Sequence, residues 1–235
     1  MTEAEWLAGT DDEAIAAVVC ESASDRKARL IACGCCRLAW DWLVNDGSRG
    51  AVEISELFAD GLATGDELSR AAYFAEAAVF AVDEMRDRYW RDQKAVRDGW
   101  LDACDATENG IPSRDRTLIS FDIARSAANW AERLNADDSR LCFREPPDPI
   151  FSPAVARDVL GNPFRSVAVD PSWLTTNVLT LAAQVYASRD FSAMPILADA
   201  LQDAGCNSAE ILDHCRAPGP HVRGCWVVDL LLGKT

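Results

Sequence analysis

The 235-residue sequence predicts an all-α protein: a helical bundle with a long helix near residues 64–107 and a smaller C-terminal cluster of short helices. Three observations lead to this prediction. Apolar residues recur at helical spacing in every long segment. Capping boxes mark helix starts at Thr2 with Glu5 and at Thr64 with Glu67. No stretch sustains the alternation of apolar and polar residues that is typical of strands.

The segment from about residue 24 to 44 is the clearest single helix. Its apolar residues Ile31, Cys35, Leu38 and Trp42 follow at spacings of four, three and four, which places them on one helix face. The charged residues of the segment gather on one narrow stripe and leave the rest apolar. We therefore expect a central, largely buried helix here.

The long predicted helix begins at Thr64 and contains no proline up to Thr107. A single helix of this length would span about 60 Å. We expect it either to break near Gly99 or to project from the body of the protein. Further helices are predicted near residues 120–134, 172–188, 193–204, 208–216 and 225–232.

A proline-rich stretch from Arg144 to Pro149 marks a domain boundary, because proline denies the backbone helical hydrogen bonds. The predicted division is a helical region over 1–143, a linker over 144–153 and a helical region over 154–235. The two helical regions are also compatible with packing as one domain. We expect Pro146 to Pro149 to form an extended connection.

The amino-acid composition limits the kinds of partner that we expect the protein to bind. A formal net charge of −15 repels phosphate backbones, so direct nucleic-acid binding is not expected. No apolar run approaches the roughly 20 residues that a membrane-spanning helix needs. The N-terminus is acidic rather than basic and then apolar, which predicts no export signal and a cytoplasmic protein.

Several motifs appear in a fixed order in the C-terminal third of the chain: Gly161-Asn162-Pro163-Phe164-Arg165, Asp170-Pro171-Ser172-Trp173-Leu174, Leu197-Ala198-Asp199-Ala200-Leu201 and His214-Cys215-Arg216, then Pro218-Gly219-Pro220-His221-Val222-Arg223-Gly224-Cys225-Trp226. Together with the opening Met1 to Trp6 and Ala32 to Arg37, they resemble a large paralogous family of planctomycete (Gemmata-type) proteins. The similarity covers both ends of the chain and not residues 71–151. It implies an intracellular bacterial protein and carries over no catalytic residue.

Nine cysteines and two histidines are the candidate metal ligands. On the 24–44 helix, Cys33 and Cys36 are three residues apart and share one side, whereas Cys35 lies on the apolar face. A pair at this spacing can give two ligands to a tetrahedral zinc ion, and the second pair must come from elsewhere. The donors are His214, Cys215, His221 and Cys225. If zinc is bound, the predicted ligands are Cys33, Cys36, His221 and Cys225. The sequence favours the other interpretation, in which these thiols are buried structural residues.

Two nucleophile hypotheses compete with the metal site. Cys33 has Arg29 and Arg37 four residues away on either side, which favours a reactive thiolate and predicts that Cys33 is the most accessible thiol of its cluster. His221, Cys225 and Asp229 are spaced by fours, but the intervening Gly224 and the Pro218-Gly219-Pro220 turn argue against one continuous helix. Hydrolase, phosphate-loop and dinucleotide signatures are absent from the sequence.

The sequence therefore favours a non-catalytic interaction or regulatory module that binds another protein through its helix faces. The alternative function is a thiol- or zinc-dependent enzyme that joins Cys33 and Cys36 to the segment from His214 to Cys225. Zinc is the one cofactor that the sequence suggests, and no oligomeric state is assigned.

Overall fold

The computed structural model describes residues 1–9, 11–43, 45–91, 125–126, 128–134, 142–143 and 150–234. These residues form helices, turns and loops with no strand among them, which confirms the all-α prediction. The helices are α1 (Glu3–Ala8), α2 (Asp12–Ser22), α3 (Asp25–Leu38), α4 (Asp46–Ala59), α5 (Gly65–Arg91), α6 (Pro153–Leu160), α7 (Thr176–Ser188), α8 (Met194–Asp203), α9 (Ala209–Arg216) and α10 (Trp226–Leu232).

Both predicted capping boxes are present. The Glu5 amide donates to Thr2 Oγ1 over 3.3 Å, and the Thr2 amide donates to Glu5 Oε2 over 2.7 Å. The same exchange joins Thr64 and Glu67 at the start of α5. These reciprocal bonds satisfy amides that have no partner inside the helix, and they fix where each helix begins.

The chain divides into two compact units. The first contains Met1–Gly34 and Ser152–Thr235, and the second contains Cys35–Phe151. This differs from the expected division into 1–143 and 154–235, because the N-terminal helices pack with the C-terminal ones. Trp6 Nε1 donates to the Gly161 carbonyl over 2.9 Å, for example. One unit boundary falls inside the predicted linker, but residues 144–149 lie outside the described residues.

In the first unit, the short C-terminal helices α7 to α10 form an apolar core. Its fully enclosed members include Val178, Met194, Leu197, Leu201 and Ile211. Trp173 and Trp226 pack against this core from its edge. The predicted cluster of short C-terminal helices is therefore present, and it encloses its own hydrophobic centre.

Helix α3 is the central buried helix that the sequence predicts, since every residue from Ala28 to Cys36 is buried. The prediction that Leu38 and Trp42 continue the buried apolar face is wrong. Leu38 is 57% exposed and Trp42 is 40% exposed, because α3 ends at Leu38 and a 3₁₀ turn over Trp40–Trp42 follows.

In the second unit, α4 packs against α5. Helix α5 confirms the long helix as far as Arg91, while its predicted continuation to 107 and the break near Gly99 lie outside the described residues. Helical residues at 125–126 and 128–133 agree with the helix predicted near 120–134. An ion pair of 2.7 Å joins Arg125 Nε to Asp83 Oδ1. Within the described ranges, no helix is both long enough and apolar enough to cross a membrane.

Candidate metal centre

Four potential metal ligands meet in the first unit: Asp158, His214, His221 and Cys225. Helix α6 supplies Asp158 and α9 supplies His214. His221 lies on the loop that follows α9, and Cys225 is the residue that precedes α10. One ligand atom from each of the four side chains lies within 4.8 Å of the others. This cluster could hold a metal ion.

Three short contacts join the four side chains. His214 Nε2 lies 3.1 Å from Asp158 Oδ1 and 3.2 Å from Cys225 Sγ. His221 Nδ1 lies 2.7 Å from the same Asp158 oxygen. Two imidazole nitrogens therefore contact one carboxylate oxygen, and the thiol contacts one of these two nitrogens.

The surroundings hold this arrangement in place. The backbone amide of Val222 donates to Asp158 Oδ2 over 2.9 Å, which leaves Oδ1 to face the two histidines. The two imidazole rings meet edge to face with their centroids 5.0 Å apart, and the Trp226 ring lies 5.1 Å from His214. Asp158 and Cys225 are buried, while the His214 side chain keeps 19% of its surface exposed.

A tight reversal after α9 brings His221 and Cys225 back to the cluster. The chain turns through Pro218-Gly219-Pro220, and the Cys225 amide then donates to the Val222 carbonyl over 2.9 Å. Gly224 has a φ of +94°, and a Cβ at this position would lie 2.8 Å from Leu30 Cδ1. Both the conformation and the close approach require glycine here.

The electrostatics of the cluster stabilise charged Asp158 and His221 side by side. Burial alone raises the pKa of Asp158, but hydrogen bonds and positive charge from His214 and His221 outweigh it, so the pKa is lowered. Burial alone lowers the pKa of His221. The hydrogen bond to Asp158, the charge of Asp158 and the Ala217 backbone outweigh it, and that pKa is raised.

The thiol of Cys225 behaves differently. Burial raises its pKa well above the ordinary value, and the nearby charge of Asp158 adds to the effect. The amides of Val228 and Val227, at the start of α10, lower the pKa and oppose this only in part. Without a metal ion the thiol therefore stays protonated, and a metal would have to displace that proton.

The structure unites half of the predicted ligand set. His221 and Cys225 both belong to the cluster. Cys33 and Cys36 lie on α3, buried, and are not members of it. The other two members of the cluster are Asp158 and His214. His214 was among the donors that the sequence offered, whereas Asp158 was missed; its one local signal is an acidic residue three positions after Val155 on an otherwise apolar helix face.

The thiols of α3 also correct the predicted reactivity. Cys35 is buried as expected, but Cys33 is only 1% exposed and is not an accessible thiol. Most of the charges on α3 are partly or fully buried, although Asp25 at its first turn is exposed. In the first unit, Arg26 forms a 2.6 Å ion pair with Asp229, and Lys27 Nζ donates to the Val159 carbonyl.

The arrangement does not suit a nucleophilic cysteine. A relay needs the base to use one ring nitrogen for the nucleophile and the other for its orienting carboxylate. Here Cys225 and Asp158 contact the same nitrogen of His214. The alternative trio of His221, Cys225 and Asp229 is not assembled, because Asp229 pairs with Arg26.

Comparison with protein-family models, with curated proteins and with solved structures found no match for this chain. The resemblance to the planctomycete family stays a prediction.

Proposed function

We propose that this chain is a non-catalytic interaction module whose first unit is stabilised by a structural zinc ion bound to Asp158, His214, His221 and Cys225. The observation that carries the zinc assignment is the convergence of four protein ligand atoms within 4.8 Å. Structural zinc sites take all four tetrahedral ligands from the protein, whereas catalytic sites leave one position for water or substrate.

The ligand chemistry favours zinc. One sulfur, two imidazole nitrogens and a carboxylate oxygen form a mixed donor set of the kind that zinc accepts. Zinc bonds of about 2.0–2.3 Å place neighbouring ligand atoms about 3.3–3.7 Å apart in a tetrahedron. The spacings in the cluster, from 2.7 Å up to 4.8 Å, bracket that range. Small side-chain movements would reach it.

The position of the site supports a structural role. The ligands come from α6, α9, the loop that follows α9 and the residue before α10, and α6 is far from the other segments in the sequence. An ion bound to all of them would hold these segments together in the folded state. The orienting contact from the Val222 amide to Asp158 is typical of the outer-shell hydrogen bonds that support metal ligands.

The rival function, a thiol- or zinc-dependent enzyme, has weaker support in this geometry. Its nucleophile would be a buried cysteine with a raised pKa, and its metal would have no vacant position. A non-catalytic role agrees better with both features.

Zinc content of purified variants tests this proposal. We expect one zinc per chain in the wild type, and at least a tenfold loss of zinc affinity for Cys225→Ala and for His214→Gln. Cys215→Ala is the matched control: this thiol is also buried in the first unit, burial raises its pKa to about 12, and it lies outside the cluster.

Circular dichroism of each variant shows whether it remains folded. His214→Gln is the milder change, since the His214 side chain is partly exposed. Equal zinc content in Cys225→Ala and Cys215→Ala would contradict the proposed ligands. A folded wild-type protein that takes up no zinc in a titration would contradict the metal assignment altogether.

A further inference from the structure

A groove lies between α4 and α5 in the second unit. Its volume is about 540 Å³. Its apolar lining is formed by Gly50, Ala51, Ile54, Ala71 and Phe74. The two helices that bound it are 14 and 27 residues long, so the groove has continuous helical walls.

Two glycines on α4 explain why a groove is present. A Cβ at Gly47 would lie 2.5 Å from the Phe74 carbonyl oxygen, so the helices approach closely at that point. One turn later, a Cβ at Gly50 would have no atom within 4 Å. Because Gly50 has no side chain, the space between α4 and α5 is not filled at this position and the groove stays open.

The outer face of α5 continues the apolar surface. Tyr73, Phe74 and Phe80 are 69%, 59% and 66% exposed. Tyr73 and Phe74 contact each other edge to face, with centroids 5.7 Å apart. Large aromatic side chains exposed together on one helix are typical of interaction surfaces rather than of ordinary solvent-facing helices.

The charges around this surface are predominantly negative. Asp46 and Glu67 line the groove, and Arg70 is the one basic residue of its lining. From Gly65 to Met85, α5 carries five acidic side chains, of which Asp83 is paired with Arg125, and one basic side chain. The whole chain has a formal charge of −15. The charges near the groove and the net charge of the chain therefore both attract a basic partner.

We propose that this groove binds a basic amphipathic helix of another protein. A third helix laid between α4 and α5 would place apolar residues at spacings of three and four in the groove. Its lysine or arginine residues would meet the acidic rim. A second copy of this chain fits less well, because symmetric pairing would bring two acidic rims together. The inference rests on the proposed interaction role and does not depend on the zinc ion.

A designed peptide tests the inference. The probe is a 14-residue amidated peptide, matched to the length of α4, with leucines at helical spacing and lysines on its flanks. Its control has the same composition and charge, but its leucines are scrambled. We expect the amphipathic peptide to bind at least tenfold more tightly in fluorescence anisotropy. Equal binding would mean charge attraction alone and would overturn the proposal.

Gly50→Leu is the decisive variant, because the new side chain fills the groove. Ala183→Leu, at an exposed position of α7, is its helical control in the first unit. We expect Gly50→Leu to weaken peptide binding at least tenfold and Ala183→Leu to leave it unchanged, both with wild-type circular dichroism. If another protein binds wild type and Gly50→Leu equally well, the interaction role stands and the groove assignment fails. A dimer in analytical ultracentrifugation that Gly50→Leu dissociates would overturn the choice of partner.

Discussion

At the scale of single residues, a proton and a bound metal ion would compete for the same atoms. Asp158 and His221 favour their charged forms next to each other, and the Cys225 thiol is held in its neutral form. Zinc binding would remove the proton from His221 Nδ1 and from Cys225 Sγ. The metal-free and metal-bound proteins should therefore respond to pH in opposite ways.

In the metal-free protein, lowered and raised pKa values set a stability window. The low pKa of Asp158 contributes stability above its unfolded value of about 3.9, and this is lost as pH falls through the folded pKa. The high pKa of His221 contributes stability below its unfolded value of about 6.5, and this is lost as pH rises through the folded pKa. The free energy of unfolding should be highest between about pH 4 and pH 6.5.

With zinc in excess, the free energy of unfolding should rise rather than fall as pH increases above about 6.5, because ligand deprotonation strengthens metal binding. Urea unfolding at several pH values, with a chelator and with zinc, measures both slopes. If the free energy of unfolding falls with rising pH equally in the presence of a chelator and of zinc, the cluster binds protons but no metal.

The same residues show what the sequence could and could not predict. His221 and Cys225 were identifiable because both histidines of the chain fall in a segment that also holds two thiols. Asp158 was not, since it lies far away in the sequence and is one of 38 acidic residues. Only the packing of α6 beside α9 and α10 distinguishes it from the others.

At the scale of elements, local signals predicted helices well and orientations poorly. The capping bonds of Thr2 with Glu5 join residues only three apart, so they are legible in the sequence. The orientation of α3 depends on distant partners. In the second unit, Arg37 pairs with Glu56 at 2.9 Å, and Glu56 is itself buried. In the sequence, a charged stripe whose members form ion pairs within the protein cannot be distinguished from one that faces water. For this reason Cys33, which borders the stripe, was wrongly predicted to be accessible.

Two glycines within helices should respond oppositely to alanine. A Cβ at Gly34 would lie 2.7 Å from Val155 Cγ1 and 3.0 Å from Val222 Cγ2, whereas a Cβ at Gly50 meets nothing. We expect Gly34→Ala to destabilise the protein by about 1–2 kcal/mol through overpacking. Gly50→Ala should stabilise it by about 0.5–1 kcal/mol through helix propensity.

Urea denaturation of the two variants beside the wild type measures this difference. Each variant serves as the control for the other, since both replace a glycine inside a helix. A Gly34→Ala variant as stable as Gly50→Ala would show that α3 does not approach Val155 as closely as described.

At the scale of the whole molecule, the chain consists of a unit with the candidate metal ligands and a unit with the apolar groove. The cluster ligands all belong to the first unit. A ligand that binds only the folded state adds about 2.7 kcal/mol of stability when its free concentration is 100 times Kd. Zinc removal should therefore weaken the first unit selectively.

Hydrogen exchange with and without a chelator tests this expectation. Amides of α6, α9 and α10 should exchange faster after metal removal, because their segments are no longer held by a common ion. Amides of α4 and α5 should keep their rates. A uniform acceleration in both units, or none in the first, would contradict a structural ion at this site.

X-ray absorption of the zinc-loaded protein tests the proposed ligand set most directly, because it counts sulfur and nitrogen or oxygen neighbours separately. The proposed site predicts one sulfur at about 2.3 Å and three nitrogen or oxygen atoms at about 2.0–2.2 Å. The ligand set expected from the sequence alone, which includes Cys33 and Cys36, predicts three sulfurs. A spectrum with three sulfurs, or with none, would contradict the site formed by Asp158, His214, His221 and Cys225.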